Sequence, residues 1–378
     1  MGTEAKTKVD PILLRALNGV CPYYTMFPLS FPLDRLHNAE AGEWVLDPFC
    51  GRGSTNYAAR LLGLPSIGID SNPVAVAIAQ AKSADTTPAR IIATCKRILE
   101  STREPQQLPS GAFWKLAFHP YTLDQLCILR EALLDDCASP TRQALRALLL
   151  GRLHGPTAKG KIKSYCSNQM PRTYASKPKY ALGYWRKHGM RPPMVDVLEL
   201  VTRKAAHYFG HLPAAVATRV LRGDSRTASV RRLLPAGKRV EWVITSPPYY
   251  GMRTYVPDQW LRYWFVGGVP KVVYRFPRQL RHESPEAFAG DLSKAWQRAA
   301  HACTPGAHLI VRFGTIPERD RDAVAILRES LALAECGWRL TTIKSAGAAD
   351  RGKRQAKQFG LKNSKPVEEF DFYARLDR

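Results

Sequence analysis

Apolar and polar positions alternate near the N-terminus in a pattern typical of an α/β sheet. Residues 44–46 form a short apolar run that ends at Asp47, and residues 66–69 form a second run that ends at Asp70. The segment between them, residues 54–62, has the spacing of an amphipathic helix. Strand, glycine-rich turn, helix, strand and acid in this order predict the beginning of a parallel sheet.

Beyond residue 88 this alternation stops, and helical patterns dominate as far as residue 209, although residues 153–195 show little periodicity. The predicted helices of the whole chain are 54–62, 73–83, 91–99, 122–134, 143–153, 195–209, 285–302 and 317–334. The predicted strands are 44–46, 66–69, 219–221, 241–245, 308–313, 338–343 and 367–373. Residues 21–33 are aromatic and broken by prolines, so they are predicted to form an ordered loop.

The pattern therefore predicts one α/β domain in two parts, interrupted by a helical insertion. We expect an N-terminal part at residues 1–85, the insertion at residues 86–212 and a C-terminal part at residues 213–378. A chain of 378 residues is long enough for a single large domain that carries such an insertion.

Composition excludes several classes of protein. Apolar residues make up 45% of the chain, which is enough for a packed core and excludes a disordered basic tail. No apolar run reaches the length of about 18–20 residues that a membrane span needs. The N-terminal segment has no apolar stretch typical of a secretory signal, so we expect a cytoplasmic protein. The eight cysteines include no C-x-x-C pair, which predicts reduced thiols and no structural metal.

The charge is strongly positive, with 56 Lys and Arg against 32 Asp and Glu, a net charge of +24. Residues 151–195 contain ten of these cations and no acid, with tyrosines and a tryptophan among them. A second basic stretch, residues 344–365, has seven cations and one acid. Nucleic acid is the simplest partner for such charge, and a solvated basic surface is the alternative.

The first candidate for chemistry is the segment 47–55, of sequence DPFCGRGST. Two glycines, Gly51 and Gly53, allow the backbone to turn tightly between a strand and a helix and to approach a ligand closely. Asp70, at the end of the second strand, is well placed to accept hydrogen bonds from two ribose hydroxyls. A purely structural turn is the alternative. No G-K-[ST] follows the glycines, so a phosphate loop is disfavoured.

The second candidate is Ser246-Pro247-Pro248-Tyr249, which follows the fourth predicted strand. Two prolines cannot continue the hydrogen bonding of a strand, so they hold the chain in a rigid, exposed arch. Such an arch fixes a hydroxyl, a free carbonyl at Pro247 and an aromatic face relative to each other. Two acceptors and a stacking ring would together bind a flat group that carries an NH2. An ordinary turn or a proline-rich ligand for another protein is the alternative.

Taken together, the two motifs resemble those of the S-adenosylmethionine-dependent amino-methyltransferases of DNA, which modify N4 of cytosine or N6 of adenine. The resemblance covers residues 21–84 and 217–375 approximately. It implies a Rossmann-like, seven-stranded methyltransferase sheet, with the helical, basic insertion between strands 2 and 3, and S-adenosylmethionine as cofactor. The residues that it assigns to the cofactor are Tyr24, Thr25, Phe27, Asp47, Pro48, Phe49, Gly51, Gly53, Asp70, Ser71 and Asp224. Those that it assigns to catalysis are Ser246, Pro247, Pro248 and Tyr249.

The resemblance also implies a reaction by direct displacement on a base flipped out of duplex DNA. Hydrogen bonds from the amine to Ser246 and Pro247 would free the nitrogen lone pair, and Tyr249 would stack on the base. Methylation of cytosine C5 is excluded because the chain has no Pro-Cys pair to supply the thiolate. Residues expected to grip the DNA are Lys159, Lys161, Lys163, Arg172, Lys177, Lys179, Tyr184, Trp185, Arg186, Lys187 and Arg253.

The position of the insertion departs from the usual arrangement of the family, so its role in recognition is a hypothesis based on charge. Serine before Pro-Pro-Tyr favours N4-cytosine, and N6-adenine is the alternative. Three further functions remain open: methylation of an RNA base, methylation of a protein glutamine, and an inactive cofactor-binding module. The expected partner is double-stranded DNA, and the family leads us to expect a restriction endonuclease that acts on the same site.

Overall fold

The computed structural model describes residues 10–22, 27–101, 104–157, 163–171, 177–251, 257–274, 279–314, 322–348 and 368–377. The strands are β1 Trp44–Asp47, β2 Ser66–Asp70, β3 Thr218–Arg222, β4 Val240–Thr245, β5 Cys303–Gly314, β6 Trp338–Ala348 and β7 Glu368–Leu376. The helices are α1 Pro11–Arg15, α2 Ser30–Leu36, α3 Ser54–Leu61, α4 Pro73–Ser83, α5 Pro88–Ser101, α6 Ala112–Ala117, α7 Pro120–Asp135, α8 Pro140–Leu150, α9 Pro178–Lys187, α10 Val197–Phe209, α11 Trp260–Phe265, α12 Pro285–Ala302 and α13 Ala323–Ala332.

The strands of the described chain form one seven-stranded sheet in the order β3-β2-β1-β4-β5-β7-β6. Strands β1 to β5 pair in parallel, and β7 runs antiparallel between β5 and β6. This confirms the predicted Rossmann-like, seven-stranded sheet. The strand order reverses between β1 and β4, and in such sheets ligands bind beyond the carboxyl ends of the strands at that point.

The helical insertion lies between β2 and β3, as predicted, and shares its core with the sheet domain. One continuous cluster of buried apolar side chains joins Tyr57 of α3 and Ile78 of α4 to Leu126, Leu148 and Trp185 of the insertion. Helix α4 is buried around most of its circumference, because the sheet covers one side and the insertion covers the other.

Three predictions of local structure were wrong. Helix α2 forms within and beyond the predicted loop 21–33, because Phe31 and Leu36 are buried against the sheet. Helix α9 forms in the region of little periodicity, where Ala181 and Trp185, one turn apart, are its buried residues. Helix α13 begins later than predicted, with Asp322 as its N-cap.

Three buried arginines bind main-chain carbonyls at the C-terminal ends of helices. Arg60 donates to the carbonyls of Lys82 and Ala84 at the end of α4. Arg130 donates to the carbonyl of Trp264 in the last turn of α11, and Arg262 to that of Leu150, the last residue of α8. The last carbonyls of a helix have no partner within it and carry its negative dipole end, so guanidinium groups stabilise these ends.

Part of the positive charge of the chain lies in the protein interior. Six cations of the described chain are buried: Arg52, Arg60, Lys82, Arg130, Arg152 and Arg262. Of these, Arg130 and Arg262 join the insertion to the sheet domain. The six are internal and are not part of an outer surface. No helix among the described residues is long and apolar enough to cross a membrane. The described residues also contain no group of three metal-ligating side chains, and all eight cysteines are free thiols.

Candidate active site

The glycine-rich turn after β1 is held against β2 by two hydrogen bonds from its main-chain amides. The amide of Cys50 donates to the carbonyl of Ile69, and that of Gly51 donates to the carboxylate of Asp70 at 2.9 Å. Gly51 and Gly53 both have positive φ, 50° and 73°. A side chain at Gly53 would meet Cβ of Ala79 at 2.8 Å, whereas one at Gly51 would enter open space. Gly53 thus serves the packing of α3 on α4, and Gly51 leaves room beside the turn.

Asp70 lies at the end of β2, as predicted, with its carboxylate oriented by the main chain. Oδ2 accepts from the amide of Gly51, and Oδ1 accepts from the amide of Asn72 at 2.8 Å. Burial raises the pKa of this carboxyl to about 6, although the two amides lower it. Ser71 follows half-buried, and Asn72 caps α4. The carboxylate is fixed in position and retains lone pairs for further donors.

Asp47 connects the two predicted motifs. It is completely buried at the end of β1, and its Oδ1 accepts from the hydroxyl of Thr245 at 2.5 Å and from the amide of Phe49 at 3.0 Å. Thr245 is the last residue of β4 and is followed by Ser246 and the two prolines. Burial raises the pKa of Asp47 to about 6, although hydrogen bonds from the hydroxyls of Thr245 and Thr55 lower it. The glycine-rich turn and the Pro-Pro segment therefore lie side by side at the point where the strand order reverses.

The loop after β3 closes one side of the site. The hydroxyl of Ser225 donates to the carbonyl of Pro48. Asp224 is paired with Arg226, Nη2 to Oδ2 at 2.7 Å, and Arg226 also binds the buried Asp291 of α12 at 2.6 Å. The predicted contact of Asp224 with a cofactor would therefore have to use lone pairs beside those that Arg226 occupies.

Residues 246–250, which we call the arch, are held in place by the contacts of two neighbouring tyrosines, Tyr249 and Tyr250. Pro247 is buried, Pro248 is exposed, and Ser246 is half-buried. Tyr249 packs edge-on against Phe313 with ring centroids 5.7 Å apart, and its hydroxyl donates to Glu369 of β7. Burial, followed by the charge of Glu369, raises the pKa of this phenol well above its ordinary value.

The residue after Tyr249 anchors the other side of the arch. Tyr250 is buried and packs edge-on against Phe288, with centroids 5.5 Å apart. The next amide, that of Gly251, donates to Nδ1 of His282 at 3.1 Å, which requires the proton of a neutral imidazole to lie on Nε2. His282 and Glu369 were not predicted as site residues. No local pattern marks them, because they follow the arch by more than thirty and more than one hundred residues.

The remaining predicted cofactor residues are partly within the described chain. Phe27 packs edge-on against Phe31 with centroids 5.1 Å apart, beside the sheet. Phe49 is half-buried against Trp296, with centroids 6.1 Å apart. Tyr24 and Thr25 lie outside the described residues.

One predicted nucleic-acid contact was wrong. Trp185 is fully buried: its ring packs at 5.5 Å from that of Phe113, and its indole N–H donates to the carbonyl of Gln169. It stabilises α9 from within and is not free to stack on a base. Tyr184 is half-buried and stacks on His188 with centroids 4.2 Å apart.

Among the described residues, two exposed tyrosines near α9 were not predicted as nucleic-acid contacts. Tyr180 and Tyr274 are 66% and 65% exposed, and Nζ of Lys177 lies 6.0 Å from the ring centroid of Tyr274. The predicted cations that are described and exposed are Lys163, Lys177, Lys179, Arg186 and Lys187. Those outside the described residues are Lys159, Lys161, Arg172 and Arg253. We call Lys177, Lys179, Tyr180, Arg186, Lys187 and Tyr274 the α9 surface.

One family model matches a part of this chain. Residues 29–81, which include the glycine-rich turn and Asp70, match the family model described as DNA methylase. No curated protein matches the chain. The match supports a methyltransferase of the kind that modifies DNA or RNA.

The chain is also similar to solved structures of methyltransferases. TrmN from Thermus thermophilus is 12% identical, with a TM-score of 0.35 over 96% of this chain and 52% of that one. The chain thus covers about half the length of TrmN. The rRNA methyltransferase aviRa from Streptomyces viridochromogenes is 14% identical, with a TM-score of 0.37 over 100% of this chain and 97% of that one.

Proposed function

We propose that this protein is a DNA methyltransferase that transfers a methyl group from S-adenosylmethionine to the exocyclic N4 of a flipped cytosine in duplex DNA. The observation that carries the proposal is the hydrogen bond between Asp47 and Thr245, which holds the glycine-rich turn next to the arch. A cofactor bound at the turn would lie beside a base bound at the arch, and proximity of this kind is the main requirement of a direct displacement.

The side chains around the glycine-rich turn fit S-adenosylmethionine. The carboxylate of Asp70 would accept hydrogen bonds from the two ribose hydroxyls. Gly51 has no side chain and would let the cofactor approach the backbone closely. Phe49 and Asp224 would border the adenine ring. When bound, the cofactor supplies an electrophilic methyl group on a sulfonium.

The arch would bind the amino group that receives the methyl. The hydroxyl oxygen of Ser246 and the carbonyl of Pro247 are two acceptors on a rigid segment, and each would take one N–H of the amine. These hydrogen bonds favour a pyramidal nitrogen with an available lone pair, and Tyr249 offers an aromatic face to the base ring. Orientation and electrostatics then suffice, and no nucleophile of the protein is required.

Serine at position 246 favours cytosine N4 over adenine N6, which is the second candidate. Methylation of an RNA base is the third, because the same two acceptors and the same ring would serve any base with an exocyclic amine. The charge of the α9 surface fits either nucleic acid and is not needed for a protein glutamine substrate. A restriction endonuclease that acts on the same site remains an expectation from the family.

Incubation with labelled S-adenosylmethionine tests the proposal directly. Duplex DNA, RNA and ribosomal protein are offered separately, and labelled DNA is then digested to nucleosides. We expect label in DNA as N4-methylcytosine. N6-methyladenine would establish the second candidate, label in RNA the third, and label in protein alone would refute methylation of nucleic acid.

Binding of S-adenosylhomocysteine is expected to weaken by about tenfold when the pH falls from 7.5 to 5. The pKa of Asp70 is raised to about 6, so its carboxyl takes up a proton below that pH and loses acceptor capacity for the ribose hydroxyls. Calorimetric titration at a series of pH values measures the effect. Asp70→Asn should bind weakly and with little dependence on pH. An unchanged affinity of the native chain at pH 5 would contradict this role of Asp70.

Neutralising the α9 surface should make DNA binding less sensitive to salt. In the triple variant Lys179→Ala, Arg186→Ala, Lys187→Ala, the slope of log K against log salt should become shallower by about 0.9 for each lost phosphate contact. Fluorescence anisotropy with a labelled duplex measures it. The control variant removes three exposed cations elsewhere, Lys238, Lys294 and Arg328. Equal slopes in the two variants would place the interface elsewhere.

A further inference from the structure

Glu369 lies in the second position of β7, beside the arch and far from it in sequence. In the register of the sheet it is opposite Gly314 of β5 and Gly347 of β6. Neither neighbour has a side chain, so the glutamate has no cross-strand side chain beside it. The structure instead brings Tyr249 to it, and the phenol hydroxyl donates to Oε1.

This hydrogen bond completes the fixation of the Tyr249 ring. The prolines hold the backbone before the ring, and Phe313 packs against it edge-on at 5.7 Å. These contacts restrict the orientation of the Tyr249 side chain. The hydrogen bond from its hydroxyl to Glu369 then fixes the position of the hydroxyl end of the ring. An aromatic side chain with a fixed far end is a more rigid stacking surface than one held only by packing.

A network of ion pairs lies beside Glu369 on the same face of β7. Asp371, two residues further along, is buried and binds Arg312 of β5 through both oxygens, at 2.8 and 2.9 Å, and Arg35 of α2 at 2.8 Å. Arg312 lowers the pKa of Glu369, although burial, the larger effect, raises it. The position of β7 relative to the arch is therefore set by ion pairs that do not include the arch.

We propose that Glu369 is a positioning residue for methyl transfer, which holds the ring of Tyr249 where a base stacks beside the hydroxyl of Ser246 and the carbonyl of Pro247. The inference rests on the proposed function. It assigns Glu369 no contact with the base: the residue acts through Tyr249 as a hydrogen-bond acceptor.

Kinetics of four variants test the proposal. We expect Glu369→Ala and Tyr249→Phe each to lower kcat about tenfold with little change in KM for DNA, and the double variant to be no worse than either. Glu369→Gln keeps an acceptor oxygen and should retain kcat within about threefold. The matched control is Glu368→Ala, at an exposed neighbour on the same strand. Additive losses, an unchanged kcat in Glu369→Ala, or a Gln variant as slow as the Ala variant would each overturn the proposal.

A titration that does not depend on activity separates this inference from the proposed function. The phenol of Tyr249 is followed by NMR with ring-labelled tyrosine and assigned with Tyr249→Phe. We expect its pKa to fall in Glu369→Ala and to stay unchanged in Glu368→Ala. If the native chain methylates no nucleic acid, the proposed function fails, and an unchanged phenol pKa in Glu369→Ala separately excludes the contact.

Discussion

Ser246→Ala is expected to lower kcat for methyl transfer about a hundredfold and to leave binding of S-adenosylhomocysteine unchanged. The hydroxyl oxygen is one of two acceptors that would orient the amine, and removal of a single preorganised hydrogen bond in an active site has effects of about this size. The residues proposed to bind the cofactor lie on the other side of the Asp47–Thr245 hydrogen bond and should keep their contacts.

Single-turnover transfer to duplex DNA measures the chemical step, and calorimetry measures the cofactor affinity. Ser229→Ala is the matched control, because Ser229 is exposed and makes no capping hydrogen bond with its side chain. Full activity of Ser246→Ala would refute the mechanism proposed for the arch, and a parallel loss of cofactor affinity would assign the serine to the cofactor instead.

Arg60→Leu is expected to lower the free energy of unfolding by about 3–5 kcal/mol. The guanidinium is 2% exposed and donates to four main-chain carbonyls, those of Lys82, Ala84, Pro213 and Ala214. Leucine fills part of the space and leaves the buried carbonyls at the end of α4 without donors. The substitution also removes the hydrogen bonds to Pro213 and Ala214, where the chain returns from the insertion to the sheet.

Urea denaturation measures the loss as a lower midpoint with an unchanged slope. Arg60→Lys should show a smaller loss, because one ammonium cannot reach all four carbonyls. Arg97→Leu, at an exposed position on α5, is the control and should change stability by no more than about 0.5 kcal/mol. Equal stability of the Arg60 and Arg97 variants would show that the carbonyls find other donors.

The sequence predicts those parts of the fold that are determined by residues close together in the chain. Apolar runs that end at Asp47 and Asp70 predicted two strands and the turn between them correctly, because strand, turn and helix cap lie within a few residues of each other. The same reasoning found the arch, since two prolines after a strand dictate its geometry locally.

Pairings over long distances could not be predicted. Tyr249 and Glu369 are separated by 120 residues, and only the placement of β7 next to β5 brings them together. Trp185 was misassigned for a related reason. In a basic, aromatic segment the side chain could face either way, and the position of its partners Phe113 and Gln169 decides that it faces inward. The arginines at helix ends depend equally on packing between distant segments.

Under the proposed function, in which the insertion recognises DNA, the single core shared by α4 and the insertion limits how this protein could acquire a new target site. A recognition region that is attached only through a loop could be replaced as a whole by that of another protein, and the catalytic part would still fold. Here removal of the insertion would expose the buried side chains of Tyr57 and Ile78. It would also remove the Leu150 carbonyl, to which the guanidinium of Arg262 donates. Altered specificity is therefore expected to arise by substitutions on the insertion's outer face, and grafts from relatives should fail to fold unless α4 is replaced with them.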